Sequence, residues 1–271
     1  MEHIYTYHSV SEFGEHIRSL GNDRLQGAAL GSIGWTTAKT HGFSLDESIL
    51  TACKGGAWTK GADKLGKVSF SFDSQWESIT KIVETSECGF SPIVPHAIMG
   101  LPNAMLNIRR DAKPRKVISI GFDISLSART DETLLFNRGR AMLEVVDFLE
   151  SIGYAIELWG VSNVVGGSTN IPYTVHFNVK QLNEQTNLSA IAFAFCNSAI
   201  TRRLVFRHVE SNSVALSNDL YGIPREWTSK RGGNYDVYFR SVSYDEENYE
   251  TPDKARLHII NSILKATNAA E

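Results

Sequence analysis

Asp123, Ser125 and Ser127 close the run Val117-Ile-Ser-Ile-Gly-Phe-Asp-Ile-Ser-Leu-Ser127 at a spacing that could do chemistry. One carboxylate and two hydroxyls are hard oxygen donors, the ligand type that Mg²⁺ takes. Hydroxyls neutralise little charge, so an ion held this way keeps a position that a partner's carboxylate can complete. Such a site supports metal-dependent recognition. It does not suggest hydrolysis, because no His or Glu stands at the motif as a general base. The plainer alternative is that the three residues cap the loop after a strand and accept from its amides.

The stretch leading to Asp123 is largely apolar, which predicts a strand at the centre of a sheet covered by helices on each side. In an open α/β sheet, ligands bind beyond the carboxyl ends of the strands, where this motif falls. Beyond it the chain alternates. Asp131 begins a helix carrying Leu134, Leu135, Ala141, Val145, Phe148 and Leu149. Residues 154–161 read as a strand, 162–171 as a loop and 173–179 as a third strand. Residues 188–206 are helical with a break near Asn197-Ser198, and 214–216 and 237–239 are short strands. Thr251-Pro-Asp253 starts a last helix with Leu257, Ile260, Ile263 and Leu264 as its buried stripe. Strand–helix–strand order of this kind implies right-handed crossovers and a mainly parallel open sheet with helices on both faces, an α/β fold.

A strand ending in D-x-S-x-S, followed by a helix and a second strand, resembles the von Willebrand factor A domain. The resemblance covers residues 115–265 and implies a metal-ion-dependent adhesion site holding Mg²⁺. Asp123, Ser125 and Ser127 match its first loop. Thr186-Asn-Leu-Ser-Ala190 is similar to the family's T-N-x-x-A pattern, which assigns Thr186 as a further ligand. Asp219 is the candidate for the last one, with Asp236 behind it. Glu184 and Gln185 stand where the family usually has glycines beside the Thr. The implied partner is a protein offering an acidic side chain.

The first part of the chain, residues 1–112, reads as a mostly helical segment packing on the main domain of residues 113–271. Ser9–Glu12, Ser44–Glu47 and Ser74–Glu77 are capping-box patterns. They precede the apolar sets Phe13, Ile17 and Leu20; Ile49, Leu50 and Cys53; and Ile79, Ile82 and Val83. Gly31–Trp35 and Gly56–Gly61 read as loops carrying one large aromatic each. Residues 91–102 are too rich in Pro and Gly for a helix and read as an extended crossing segment.

Composition sets further bounds. The 271 residues are 42% hydrophobic and 21% charged with a formal net charge of −3, so no global positive field draws nucleic acid. A local basic run remains in Arg109, Arg110, Lys113, Arg115 and Lys116, and Arg202, Arg203 and Arg207 lie on about one helix face. With Trp35, Trp58 and Trp76 these could form a groove for single-stranded nucleic acid, arginines on phosphates and aromatics on bases. Cys53, Cys88 and Cys196 are odd in number and widely spaced, which fits a reduced, cytoplasmic setting. No signal peptide and no run of about 18 to 20 apolar residues occurs. The eight histidines share no metal-ligand spacing, and His176 reads as a hydrogen-bonded residue in a strand. No G-x-S-x-G, GxGxxG or Walker A sequence is present.

Taken whole, the chain is similar to an uncharacterised family of phage-encoded proteins. The Gly-Trp loops, the Pro-rich stretch, Arg138-Gly-Arg-Ala-Met142 and Leu149-Glu-Ser-Ile-Gly153 carry that resemblance. It implies an accessory protein acting in the cytoplasm of an infected bacterium. The leading expectation is therefore a non-enzymatic, phage-type accessory protein that binds a protein partner through a Mg²⁺ site. The alternatives are a single-stranded nucleic-acid-binding factor for a phage polymerase, and a virion or structural component.

Overall fold

β-Strands, in chain order, are β1 (His3–Tyr7), β2 (Ile82–Ser86), β3 (Ser91–Pro92), β4 (Met105–Arg109), β5 (Val117–Asp123), β6 (Ala155–Gly166), β7 (Ile171–Lys180) and β8 (Val237–Phe239). They come from a computed structural model, which describes residues 3–21, 42–66, 82–88, 91–109, 116–127, 130–166, 171–182, 184–212 and 235–268. Helices within these residues are α1 (Val10–Ser19), α2 (Leu45–Cys53), α3 (Thr59–Leu65), α4 (Val94–Ile98), α5 (Glu132–Ser151), α6 (Leu188–Ile191), α7 (Phe206–Ser211), α8 (Glu246–Tyr249) and α9 (Pro252–Asn268).

The main sheet has the order β1-β7-β6-β5-β8. β5 is parallel to both its neighbours and β1 is parallel to β7, while β6 and β7 form an antiparallel pair. This is an α/β fold on a mixed, mostly parallel sheet with β5 inside it. A separate antiparallel sheet has the order β2-β4-β3.

Alternation along the strands decides how the layers stack. Ile118, Ile120 and Phe122 point into the core, where Phe122 stacks on Phe239 with ring centroids 4.6 Å apart and meets Phe195 at 5.3 Å. On β7, Phe177 stacks on Phe13 of α1 at 5.2 Å. His258 of α9 meets Phe239, and His208 of α7 meets Tyr173, on this same side. Residues between these positions are Ser119, Gly121, Asp123, Glu157, Trp159, Thr174, His176 and Asn178, which face the other way. Helices α1, α7 and α9 lie on the first of these faces; on the other, Asp123, Thr174, His176 and Asn178 are nonetheless buried.

Several local expectations hold. Ser9 accepts from the amide of Glu12 at 3.0 Å, and Ser44 with Glu47 forms a full capping box. Asp131 caps α5 by accepting from the Thr133 amide. The helical run breaks at Asn197, whose side chain accepts from the Ala199 amide; flanking it are π-helical turns at Ala192–Cys196 and Ile200–Val205.

Others are corrected. The N-terminal segment is not helical throughout, because β1 joins the main sheet and Ile82 and Val83 start a strand. Strand β6 runs through the expected loop to Gly166, since Val164 and Val165 continue its β-branched pattern. Pro95 sits in the first turn of α4, where a missing amide costs nothing, so that segment is not wholly extended. In α9 the buried positions are Ala255, Ile259 and Ile263, one turn apart, and Leu257 is 61% exposed. Leu50 is likewise exposed, α2 burying Leu45, Ser48 and Ala52 instead. Residues 31–35, 74–81 and 214–216 lie outside the described residues.

Candidate functional site

Residues 123–127 leave β5 in a buried, extended path, and each carbonyl from 123 to 126 is taken by a side chain from elsewhere. Arg138 of α5 donates to Asp123 O at 2.9 Å, and Thr201 to Ile124 O at 2.7 Å. The Ser241 hydroxyl donates to Ser125 O, and Arg202 to Leu126 O at 3.1 Å. Backbone carbonyls buried without ladder partners must be satisfied somehow, and here three elements supply the donors. Asp123 and Ser125 are each 1% exposed. The motif works as a strap that binds the sheet to α5 and the π-helical turns.

The Asp123 carboxylate is also engaged. Oδ1 accepts from the Ser125 amide at 2.8 Å and Oδ2 from the Tyr238 hydroxyl at 3.1 Å. Burial pushes this carboxyl up to about 6, against the pull of those donors and of Arg138. The Ser125 hydroxyl lies 3.2 Å from Ser162 Oγ and accepts from the Asn163 amide. From Tyr238 the network continues across the sheet's outer face, Asn163 Nδ2 donating to its hydroxyl and Thr174 to Asn163 Oδ1.

Thr186 is not brought to this motif. Because β7 runs antiparallel to β6, its carboxyl end lies at the amino-terminal edge of β5. There Thr186 donates to Glu150, near the end of α5, at 3.5 Å. The length of β5, roughly 20 Å at about 3.3 Å per residue, separates it from Asp123. Asp236 accepts from the Ser119 amide at 2.7 Å, four residues before Asp123 on β5. Asp219 lies outside the described residues. Among the described residues no group of three or more His, Cys, Asp or Glu could hold a metal ion. The described residues do not assemble the expected octahedral Mg²⁺ ligands: Asp123 and Ser125 are buried in the strap and Thr186 stands at the opposite edge of the sheet.

The basic candidates divide as well. Arg202, Arg203 and Arg207 are buried, donating to Leu126 O, to Phe43 O at 3.1 Å and to Leu20 O at 3.1 Å. Their guanidinium groups hold loops to the core and do not form an outward face. Arg110, Lys113 and Arg115 lie outside the described residues; Arg109 ends β4 and Lys116 is exposed just before β5. Trp58 is a core residue, edge-on to Phe43 and near Phe136. Trp35 and Trp76 lie outside the described residues.

Sequence reasoning missed the outer face of the sheet. Tyr235 lies over Gly121, where a Cβ would come within 2.6 Å of its ring, and it meets Trp159, His176 and Tyr238. His176 Nδ1 sits 2.6 Å from the Tyr235 hydroxyl, while Nε2 is buried with no partner. Burial pushes this imidazole down to about 4, so it is neutral at pH 7. Beside it opens a cleft of about 500 Å³, lined by His8, Glu157, Trp159, Asn178, Gln181 and Glu184 among others. The period-two run Thr174-x-His176-x-Asn178 was the available signal, since alternating polar residues in a strand mark one face lined by hydrogen-bonding groups.

These features define an α/β protein on a mixed, mostly parallel sheet, whose strand-end motif is hydrogen-bonded into the scaffold. The chain belongs to the family described as a domain of unknown function (DUF7192), whose model matches residues 2–271. No curated protein and no solved structure matches it. Among the described residues no helix is long and apolar enough to cross a membrane.

Proposed function

We propose that this is a non-enzymatic interaction protein that docks a protein partner through the apolar tip of its small sheet. The supporting observation is the exposure of Val94 (59%), Ile98 (80%), Met99 (64%) and Leu101 (44%), four large apolar side chains within eight residues. Val94 and Ile98 lie one turn apart on α4, so they share a face. Contiguous exposed apolar surface of this kind marks contact sites. Each such side chain contributes roughly 1.5–3 kcal/mol when buried. The absence of catalysis is part of the same reading: the carboxylate and arginine at the strand end are committed to the scaffold.

The test is partner capture by the full chain from cells that make it, with the bound protein identified by mass spectrometry. The partner is expected to be lost from Ile98→Asp and Met99→Asp, to survive EDTA, and to leave thermal stability unchanged. Capture that survives the double variant rejects the tip. Loss with EDTA would instead restore Mg²⁺-dependent recognition through Asp123.

A further inference from the structure

We propose that the cleft beside β6 and β7 binds an organic cation, the alkylammonium or guanidinium group of a basic side chain or of a small amine. This is a different surface from the apolar tip and does not depend on it. Glu157 and Glu184 both line the cleft, and Trp159 supplies an aromatic wall. Glu157 accepts from Asn178 Nδ2 at 3.0 Å and from the Ser119 hydroxyl at 3.4 Å, and Glu184 accepts from the Gln181 amide at 3.3 Å. All these donors are neutral, so they orient the two carboxylates without cancelling their charge.

Among the described residues His8 is the cleft's one basic side chain, and no Lys or Arg lines it. The nearest in sequence, Lys180, is turned to the helical side, 2.6 Å from Glu150 and also donating to the carbonyls of Ile156 and Gln181. A cation entering the cleft therefore meets two carboxylates with no Lys or Arg partner among the described residues, beside an indole. That combines Coulomb attraction with a cation–π contact.

The opposite sign of ligand is disfavoured by the neighbouring cavity of about 180 Å³. It shares His8, Asn178, Gln181 and Glu184 with the cleft and reaches the first turn of α1. A helix amino terminus would ordinarily attract an anion. Here Glu12 already occupies that position, accepting from the His8 amide at 2.6 Å. The carboxylates of Glu157 and Glu184 in the cleft thus stand beside a helix end that already has its anion.

The experiment uses the full chain with N-acetyl-arginine methylamide and N-acetyl-lysine methylamide as probes. N-acetyl-glutamate methylamide and methyl glucoside are the acidic and neutral controls. NMR follows the indole N–H resonance of Trp159, assigned with Trp159→Phe, and calorimetry measures affinity. Both cations should shift that resonance saturably and bind more weakly as salt rises. Glu157→Gln should weaken binding roughly tenfold, the equivalent of about 1.4 kcal/mol. Glu184→Gln, at an exposed position where folding is not at stake, should weaken it several-fold. The proposal is overturned if neither cation shifts Trp159, if both Gln variants bind as the parent does, or if a control binds as tightly as the cations. Binding of the glucoside alone would mark the cleft as a site for neutral ligands.

Discussion

Arg138 donates from Nη1 to the carbonyl oxygen of Asp123 at 2.9 Å, and both side chains are 1% exposed. A guanidinium and a carboxylate are thereby both buried at the end of β5, an inner strand of the sheet. Burial lowers the arginine's pKa and raises the aspartate's, but the guanidinium keeps its charge. The direct contact is to the backbone carbonyl, so removing Arg138 leaves that buried oxygen without its donor and takes one attractive charge from the carboxylate. Arg138→Ala is expected to destabilise the fold by about 1–3 kcal/mol in urea unfolding. The loss should shrink at acid pH, where Asp123 takes a proton and no longer needs the arginine. A loss that is the same at every pH would mean Arg138 matters only through packing and its bond to the carbonyl.

The pH dependence of stability has two opposing parts. Asp123 binds its proton more tightly in the folded state, at about 6 against 3.8 unfolded. Its favourable contribution is complete below about pH 4 and is lost as pH rises through about 6. His176 and His208 behave oppositely, burial lowering them to about 4 and about 3 from 6.5. Their contribution is present above about pH 6.5 and is lost as pH falls towards 4. Between pH 6 and 4 two histidines oppose one aspartate, each worth about 1.4 kcal/mol per pH unit. These three groups together therefore lower stability on acidification. Relative to the parent, His176→Gln should flatten the slope and Asp123→Asn should steepen it, read from urea midpoints across that range. Parallel curves for all three proteins would remove both assignments.

The central strand, the capped helix after it, the third strand and the break at Asn197 were all legible, because each rests on local pattern or capping chemistry. Sheet composition was not. Nothing local to residues 3–7 says that they pair with residues 173–177, because such pairing is decided by long-range packing. Reading residues 117–123 as apolar on both faces overlooked Ser119 and Gly121, which alternate with the core positions and meet Asp236 and Tyr235. The surroundings of the D-x-S-x-S motif were not legible for a related reason. Spacing places three oxygens at a strand end, but it cannot show that Thr201, Arg202 and Ser241 will claim the surrounding carbonyls. Thr186 failed on strand direction, since one antiparallel pair sends its loop to the opposite edge.

Thiol reactivity should separate the three cysteines. Cys196 is buried, and its thiol is pushed up to about 12 by burial, so little thiolate forms at neutral pH. Cys88 is exposed, and Cys53 is half-buried with its pKa raised by burial. A maleimide or disulfide reagent should label Cys88 first, Cys53 more slowly and Cys196 only on unfolding, as peptide mapping would show. Early labelling of Cys196 would place the π-helical turn outside the core.

Gly14 tests how closely the N-terminal helices approach. It lies on α1 facing α2, where an added Cβ would come within 2.6 Å of the Cys53 amide nitrogen and 2.7 Å of the Ala52 Cβ. Two effects compete in Gly14→Ala. Helix propensity favours alanine by about 1 kcal/mol, whereas overpacking costs about 1–3 kcal/mol. The obstacle is partly backbone, which cannot rotate away, so crowding should win and stability should fall by about 1–2 kcal/mol. Displacing α1 also disturbs Phe13 on Phe177, which carries the strain to the sheet edge. Ala52→Gly in the same chain removes the one side-chain atom of the three nearest contacts and should restore part of the loss in a double-mutant cycle. A Gly14→Ala protein as stable as the parent, or more so, would show that α1 and α2 do not meet at this distance.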